Sequence, residues 1–357
     1  MKPISIEELD KNFKLKSRVD KEDAVFYNAL SSPFSLHGLI YENGEYVRMP
    51  DETAESVSPA VHRLSKNTAG GRLRFITDSP YVIIRAREPK FSFMPHMPLT
   101  GQCGFDLYRG KGKDSRYVGS FIPPISMETD YESILNVPGE GDKLLTLEFP
   151  LYNGVHELYI GLKEGSSLLP PDDYKIKSPV LYYGSSITQG GCASRPGTCY
   201  QALLSRDYDM DYINLGFSGN AKGEDNMADY IASLPISVFV YDYDHNAPTL
   251  THYENTHYRF FLRFREKQPN TPVVFVTRPK FYLTESEKER VKIARRTYEG
   301  ALDGGDKNVY FIEGETLMAP AGDGGTVDGT HPTDLGFFTM ALGMKPTFDK
   351  IFGASRD

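Results

Sequence analysis

The chain has 357 residues, of which 39% are hydrophobic and 25% are charged, as is typical of folded globular proteins. Its formal net charge is −8 and its basic residues form no extended run, which argues against nucleic acid or an anionic membrane as a partner. No apolar stretch reaches the length of a transmembrane helix. Because one hydrophobic core seldom serves a chain of this length, we expect two domains.

The N-terminal residues 1–8 lack the apolar core of a signal peptide, so a cytoplasmic protein is expected. The three cysteines are Cys103, Cys192 and Cys199, an odd number that argues against a secreted disulfide framework. Cys192 and Cys199 flank a short turn and could pair, but reduced thiols are the expectation in the cytoplasm. No Cys/His set lies nearby at ligand spacing, and we predict neither a metal nor a cofactor.

Residues 1–170 contain short strand patterns and little helical periodicity. Strands are predicted over residues 72–77, 81–86, 117–121, 144–149 and 157–162. Several of them alternate polar with apolar residues, and Gly, Pro, Asp and Asn turns separate them. This pattern favours an antiparallel β-sandwich of jelly-roll type, whose aromatic residues we interpret as core rather than as a sugar platform. Residues 166–173, which include two prolines, are predicted to be the linker.

Residues 171–357 alternate strands with helices. The first strand ends before a cluster of small residues near Gly184, and further strands are predicted over residues 212–215, 237–241, 272–277 and 309–312. Helices are predicted near residues 200–207, 224–234, 250–267 and 285–302, and from 333 or 334 onwards. Repeated strand–helix units specify a parallel sheet with helices on both faces. We therefore predict a flavodoxin-like, three-layer α/β/α domain.

Ser186 directly follows the first strand of this domain, in Gly184-Ser185-Ser186-Ile187-Thr188. In open α/β sheets the reactive site lies beyond the carboxyl ends of the strands, and glycine allows a close backbone approach there. Ser186 is therefore a candidate nucleophile. Taken alone, the segment could also be an ordinary turn or a phosphate-binding loop, although the P-loop pattern is absent.

Three later strands end in residues that belong on the same edge of the sheet. Gly219 follows the second strand, Asn246 the third, and Asp328 and His331 the fifth. Together with Ser186, this ordered set resembles the SGNH branch of the GDSL esterase/hydrolase family, which is named for Ser, Gly, Asn and His at successive strand ends. The resemblance implies a Ser186, Asp328 and His331 triad. It also implies an oxyanion hole formed by Ser186, Gly219 and Asn246.

The resemblance covers roughly residues 178–353 and departs from the family pattern in two places. Ser185 stands where the family has Asp in Gly-Asp-Ser, and Asp244-His245-Asn246-Ala247 stands where it has Gly-x-Asn-Asp. Neither departure removes a group that makes or breaks bonds. A β-sandwich followed by a hydrolase domain is also similar to certain two-domain carbohydrate esterases of the family.

The chemistry of these residues leads to the same prediction. A serine hydroxyl is a poor nucleophile until a base such as His331 takes its proton, and Asp328 can hold the other ring nitrogen. The oxyanion that forms on attack needs preorganised donors, for which the backbone N–H groups of Ser186 and Gly219 and the Asn246 amide are candidates.

Structural interpretations remain open for some of these residues. Asp323 and Asp334 compete with Asp328 as the partner of His331, although the spacing favours Asp328. His331 could instead cap the last helix, and Asn246 could be only a turn residue.

Four further residues have less decided roles. His252 and His257 lie five residues apart on a helix, which does not align them for a metal, and a solvated helix face is predicted. His245 either lines the pocket or packs beneath it. Arg195, in the loop after the nucleophile, is predicted to pin that loop rather than to contact substrate.

The sequence thus predicts a serine esterase that hydrolyses small acyl esters, above all acetyl groups on carbohydrates. The partner is a small-molecule or saccharide ester, and the oligomeric state is not legible from the sequence. The β-sandwich would help to shape the cleft or to position the saccharide. Two alternatives stay open: a lysophospholipase or thioesterase of the same family, and a catalytically inactive carbohydrate-binding protein.

Overall fold

The computed structural model describes residue 19, residues 21–90 and residues 93–353. Its N-terminal part is a β-sandwich of two antiparallel sheets, with strand orders β1-β11-β6-β9 and β2-β5-β10-β7-β8. The strands are Ala24–Asn28 (β1), Ser35–His37 (β2), Ile40–Glu42 (β3), Glu45–Val47 (β4), Arg72–Thr77 (β5), Tyr81–Arg87 (β6), Phe105–Arg109 (β7), Arg116–Phe121 (β8), Asp130–Asn136 (β9), Lys143–Glu148 (β10) and Glu157–Lys163 (β11). β3 and β4 pair as a separate hairpin. The predicted sandwich is confirmed.

Alternation along β5 shows how the sandwich is built. Leu73 and Phe75 are fully buried in the core between the two sheets. Successive side chains of a strand point to opposite faces, so Arg72 and Arg74 lie on the outer face of the same strand. That outer face is covered by the second domain, because the guanidinium of Arg72 donates to the backbone carbonyl of Tyr212 at 2.8 Å.

The first domain also contains helices that the sequence pattern did not indicate. They are Asp51–Val57 (α1), Pro59–Ser65 (α2) and Leu99–Gln102 (α3). These helices are short, in keeping with the little helical periodicity of residues 1–170. Each of these helices has two turns or fewer, too few for a clear helical period. Ala54 and Val61 are buried in the core of the second domain, so tertiary packing stabilises these helices.

The second domain is built on a five-stranded parallel sheet with the order β13-β12-β14-β15-β16. Its strands are Ile176–Gly184 (β12), Met210–Gly216 (β13), Val238–Asp242 (β14), Val273–Val276 (β15) and Val309–Ile312 (β16). Its helices are Ser186–Gln189 (α4), Tyr200–Tyr208 (α5), Asp225–Ser233 (α6), Leu250–Lys267 (α7), Glu285–Asp303 (α8), Gly314–Met318 (α9) and Asp334–Phe352 (α10). This confirms the predicted flavodoxin-like, three-layer α/β/α domain.

Both faces of this sheet are buried. Along β12, Leu181 and Tyr183 pack into the core beneath α6, α7 and α8, whereas Val180 and Tyr182 pack into the core beneath α5 and α10. A strand buried on both faces is apolar throughout, which explains why the run before Gly184 shows no alternation.

The long helix α7 corrects one expectation. His257 does not lie on a solvated face: it is 1% exposed, stacks on Tyr241 with ring centroids 4.6 Å apart, and shares a hydrogen bond of 2.8 Å with Thr297. The helical period places it in line with the buried residues Tyr253 and Phe260. Burial lowers the pKa of His257 to about 3, so it is a neutral core residue at physiological pH.

All three cysteines are buried, free thiols. Within the described ranges, none of the helices combines the length and the apolar character that crossing a membrane requires.

Candidate active site

The candidate nucleophile begins a very short helix at the end of β12. Ser186 is the first residue of α4, and the Ser185 hydroxyl caps this helix by accepting from the Ile187 backbone N–H at 3.2 Å. Only glycine fits at position 184, because a Cβ there would lie 2.1 Å from the carbonyl oxygen of Asp242. As the first helical residue, Ser186 has a backbone N–H without an intrahelical acceptor. The half-buried side chain of Ser186 thus stands at the rim of the sheet.

The structure brings Ser186, His331 and Asp328 into one hydrogen-bonded chain. Oγ of Ser186 lies 2.9 Å from Nε2 of His331, and Nδ1 of His331 lies 2.7 Å from Oδ2 of Asp328. A carboxylate can only accept, so Nδ1 of His331 carries the proton and Nε2 accepts from the serine hydroxyl. This arrangement leaves the imidazole ready to take the Ser186 proton.

The loop of Asp328 holds its carboxylate in position to accept from the ring of His331. Oδ1 accepts from the backbone N–H groups of Thr330 at 3.0 Å and His331 at 2.8 Å, and Gly329 turns the chain with a φ of 82°. Partial burial raises the pKa of Asp328, but the hydrogen bonds from the backbone and ring of His331 outweigh it and lower this pKa to about 2. Asp328 is therefore ionised at neutral pH.

The competing carboxylates have other partners. Asp334 accepts from the Ser194 backbone N–H at 2.9 Å and from the Thr198 hydroxyl at 2.7 Å. Asp323 accepts from the adjacent Gly324 N–H within its own loop. The N-cap of α10 is Thr333, so His331 does not cap this helix.

The candidate oxyanion donors lie in the turns after β13 and β14. Gly219 has a φ of 69°, and among the described residues, apart from its chain neighbours, no atom lies within 4 Å of where its Cβ would be, so this backbone is open on that side. Asn246 ends a 3₁₀ turn, and its amide donates to the carbonyl of Phe217 at 2.8 Å. An amide nitrogen carries two hydrogens, so one of them remains for another acceptor. This hydrogen bond therefore joins the turn after β14 to the turn after β13.

Arg195 connects the loop after the nucleophile to the first domain. One guanidinium nitrogen donates to Oδ2 of Asp106 at 2.8 Å and to the hydroxyl of Tyr108 at 2.6 Å. Asp106 also accepts from the Gly197 N–H at 2.9 Å. These contacts agree with the predicted pinning role of Arg195.

His245 lies close to the catalytic candidates. Its Nε2 is buried and has no hydrogen-bond partner among the described residues. Burial first, and then the charges of Arg278 and His331, lower the pKa of His245 to about 3. His245 is therefore a neutral imidazole near His331, and positive charge on His331 disfavours its protonation.

Two residues that support the site were not predicted from the sequence. The hydroxyl of Tyr152, from the first domain, donates to the carbonyl of Ser186 at 3.1 Å. Gln189 accepts from the Ser218 N–H at 3.1 Å and donates to the carbonyl of Leu151 at 3.2 Å. The first domain thus supports both the helix of the nucleophile and the turn before Gly219. No local sequence pattern predicts these contacts, because they join residues of different domains.

His96 is a third residue that the sequence did not indicate. It lies exposed in a loop of the first domain, and its ring centroid is 6.0 Å from that of His331. The chain just after it is anchored to the second domain: Thr100 donates to the carbonyl of Ser194 at 2.6 Å, and a Cβ at Gly101 would lie 2.2 Å from the carbonyl of Ala193. The β-sandwich domain therefore forms one side of the site.

Comparison with known proteins agrees with this architecture. Residues 177–348 match the GDSL-like lipase/acylhydrolase family, and residues 24–168 match the N-terminal region of SGNH-hydrolase-type esterases. None of the curated proteins matches the chain.

Several solved structures share the whole fold. A protein from Bacteroides ovatus, described as a GDSL-like lipase, is 30% identical with a TM-score of 0.84, covering 93% of this chain and 99% of that chain. A salicylyl-acyltransferase from a tetracycline biosynthetic pathway is 20% identical with a TM-score of 0.77, covering 93% and 98%. An acetyl xylan esterase from the rumen bacterium Butyrivibrio proteoclasticus is 12% identical with a TM-score of 0.60, covering 92% and 99%. The chain thus belongs to the GDSL-like lipase/acylhydrolase family and is a serine ester hydrolase.

Proposed function

We propose that the protein hydrolyses small acyl esters with Ser186 as nucleophile. The observation that carries this proposal is the hydrogen-bonded chain from Asp328 through His331 to Ser186, with distances of 2.7 and 2.9 Å. Oγ of Ser186 attacks the ester carbonyl while Nε2 of His331 takes its proton. The imidazolium then gives this proton to the departing alcohol. Water, deprotonated by the same histidine, hydrolyses the acyl-enzyme.

Negative charge on the carbonyl oxygen needs donors that are already in place. The N–H groups of Ser186 and Gly219 and the second amide hydrogen of Asn246 serve this role in the proposal. Its support is that Asn246 is oriented by its bond to Phe217 and that the backbone at Gly219 is open. Asp328 selects the tautomer of His331 and stabilises the imidazolium.

The proposed substrate is an acetyl ester of a carbohydrate. Packing beside the nucleophile is tight at Gly191, where a Cβ would lie 2.9 Å from the Tyr152 hydroxyl and 3.2 Å from Cδ2 of His331. An acetyl xylan esterase and a family two carbohydrate esterase from Clostridium thermocellum share the fold. In the proposal, the His96 side of the site faces the alcohol portion of the ester.

The test compares acetylated xylo-oligosaccharides with p-nitrophenyl esters of increasing chain length. We expect hydrolysis of both acetates, a steep fall in kcat/KM beyond acetate, and no activity above background in Ser186→Ala. Ser233→Ala, which changes an exposed helix serine, is the control and should keep the wild-type rates. Rates that rise with chain length would instead favour a lysophospholipase or thioesterase. Saccharide binding without hydrolysis would favour an inactive binding protein.

A second candidate function is acyl transfer to an alcohol other than water. It is favoured by the salicylyl-acyltransferase, whose fold matches over 93% of this chain at a TM-score of 0.77. Both functions would use the same acyl-enzyme, because they differ only in whether water or another alcohol attacks it. Product analysis in the presence of glycerol or a free oligosaccharide distinguishes the two functions. Free acid as the main product supports the hydrolase, and a new ester as the main product supports the transferase.

A further inference from the structure

A buried arginine of the first domain binds the strand end that leads to the candidate oxyanion donors. Arg48 directly follows β4 and is 3% exposed. Its Nη1 donates to the backbone carbonyl of Gly216 and, at 3.3 Å, to that of Asn214. Its guanidinium carbon lies 4.6 Å from the ring centroid of Phe217. Arg48 therefore contacts both the last residues of β13 and the first residue of the turn that follows.

These carbonyls are free to bind arginine because β13 lies at the edge of the parallel sheet, beside β12. An edge strand leaves one row of its backbone groups unpaired, and such groups need partners when they are buried. The carbonyl of Tyr212, two residues before Asn214, accepts from Arg72 at 2.8 Å. Two arginines of the first domain thus bind the open edge of β13, Arg72 near its start and Arg48 at its end.

The turn that Arg48 contacts also positions the candidate donors. The carbonyl of Phe217 accepts from the Asn246 amide at 2.8 Å, and Gly219 follows Phe217 by two residues. A shift of the Phe217 backbone would therefore move both the Asn246 amide and the Gly219 N–H. Donors stabilise an oxyanion strongly only when they are already in place, so even a small displacement costs rate.

The guanidinium of Arg48 is itself held in position. The backbone N–H of Arg48 donates to the carbonyl of Ser65 at 2.9 Å, and its Nη2 donates to the carbonyl of Leu64. Both carbonyls belong to the last turn of α2, which packs into the core of the second domain through Val61. A side chain that is fixed in this way can orient the groups that it binds.

We propose that Arg48 is a positioning residue for the oxyanion hole. By holding the end of β13, it keeps the Gly219 N–H and the Asn246 amide directed at the carbonyl oxygen of the ester. The inference rests on the proposed function, in which these two groups are donors to the oxyanion. Arg48 acts through them and neither touches the substrate nor transfers a proton. The β-sandwich domain would thereby contribute to kcat.

The test compares hydrolysis of p-nitrophenyl acetate with that of p-nitrophenyl thionoacetate, in which sulfur replaces the carbonyl oxygen. Sulfur accepts hydrogen bonds more weakly, so an intact oxyanion hole favours the oxygen ester. The ratio of kcat/KM for the oxygen ester to that for the sulfur ester therefore reports the contribution of the donors. A lower fraction of folded enzyme reduces both rates equally and leaves this ratio unchanged. The Tm of each variant is measured in parallel.

Three arginine variants carry the test. Arg48→Met should lower both kcat for the oxygen ester and the ratio by about 10–100-fold, with KM changed by less than about threefold, because the donors are displaced but not removed. Arg48→Lys keeps the charge but lacks the planar guanidinium, so it should lower both values less than Arg48→Met does, and by at least about threefold. If Arg48→Met does not fold, Arg48→Lys decides. Arg72→Lys is the matched control at the start of the same strand, and it should lower the Tm but keep the wild-type ratio.

Asn246→Ala separates failure of this inference from failure of the proposed oxyanion hole. It should lower the ratio by itself, and the loss in Arg48→Met with Asn246→Ala should be smaller than the product of the two single losses. A wild-type ratio in the folded Arg48 variants, together with a lowered ratio in Asn246→Ala, would overturn the role of Arg48 alone. An equal fall of the ratio in Arg72→Lys and Arg48→Lys would do the same. A wild-type ratio in Asn246→Ala would overturn the oxyanion-hole assignment and this inference with it.

Discussion

Replacing Asp328 with asparagine distinguishes a catalytic triad from a Ser–His dyad. In the wild type, the carboxylate accepts from Nδ1 of His331 at 2.7 Å. An asparagine at this position can still accept from the backbone of Thr330 and His331 through its oxygen. Its NH₂ group then faces Nδ1 as a donor and favours the tautomer whose Nε2 carries the hydrogen. That nitrogen can no longer take the proton of Ser186.

The magnitude follows from this change of tautomer. The same substitution in a serine protease lowers kcat about 10⁴-fold, which corresponds to about 5.4 kcal/mol of transition-state free energy. The side chain of Asp328 is 42% exposed, so water can relieve part of the misorientation here. We therefore expect Asp328→Asn to lower kcat by about 10³–10⁴. Asp328→Ala, which admits water in place of the wrong donor, should be less impaired than Asp328→Asn.

The assay is steady-state hydrolysis of p-nitrophenyl acetate, with the Tm of each variant measured in parallel. Asp323→Asn is the matched control, because this carboxylate lies in the same loop and accepts from the Gly324 N–H of that loop. It should keep the wild-type kcat. A loss of less than about tenfold in Asp328→Asn would refute the triad, whereas an inactive Ser186→Ala would leave the nucleophile assignment intact.

Four further predictions concern the neighbouring residues. Asn246→Ala should lower kcat about 10²–10³-fold with a folded protein by circular dichroism, and a near-normal kcat would make Asn246 a turn residue only. Arg195→Met leaves the buried carboxylate of Asp106 without its cation and should lower the free energy of unfolding in urea by about 2–3 kcal/mol; adding Asp106→Asn should recover part of this loss. His96→Ala should raise KM for acetylated oligosaccharides more than for p-nitrophenyl acetate, and equal changes would place His96 outside the alcohol site. Burial raises the pKa of Asp242 well above its usual value, so its contribution to stability falls as pH rises above about 4. Asp242→Asn should therefore become more stable relative to the wild type as the pH rises above about 4, as measured by urea unfolding.

Some features of the site could be predicted because they follow from periodicity and chain order. The apolar run of β12 ends at Gly184, and parallel strands bring their carboxyl ends to one edge whatever the helices between them do. Chain order therefore sufficed to predict that Ser186 and His331 lie at the same edge. The spacing of Asp328 and His331 within one loop likewise predicted their contact, since Gly329 permits the turn.

Other features depend on which surfaces meet. His257 follows a helical spacing that fits either a solvated or a buried face, and only the aromatic cluster around Tyr241 decides that it is buried. The helices α1 and α2 are too short to show a period and are held by packing against the second domain.

The sequence by itself determined the two folds, the edge of the sheet that carries the site, and the order of the polar residues along it. These depend on local periodicity and on strand direction, which a single chain segment encodes. Only the tertiary structure revealed which residues of the first domain reach the site, namely Tyr152 and His96, and that Nε and Nη1 of Arg74 are buried without a hydrogen-bond partner among the described residues. These contacts join residues far apart in the chain, and their energies depend on desolvation at the contact between domains, which no local pattern records.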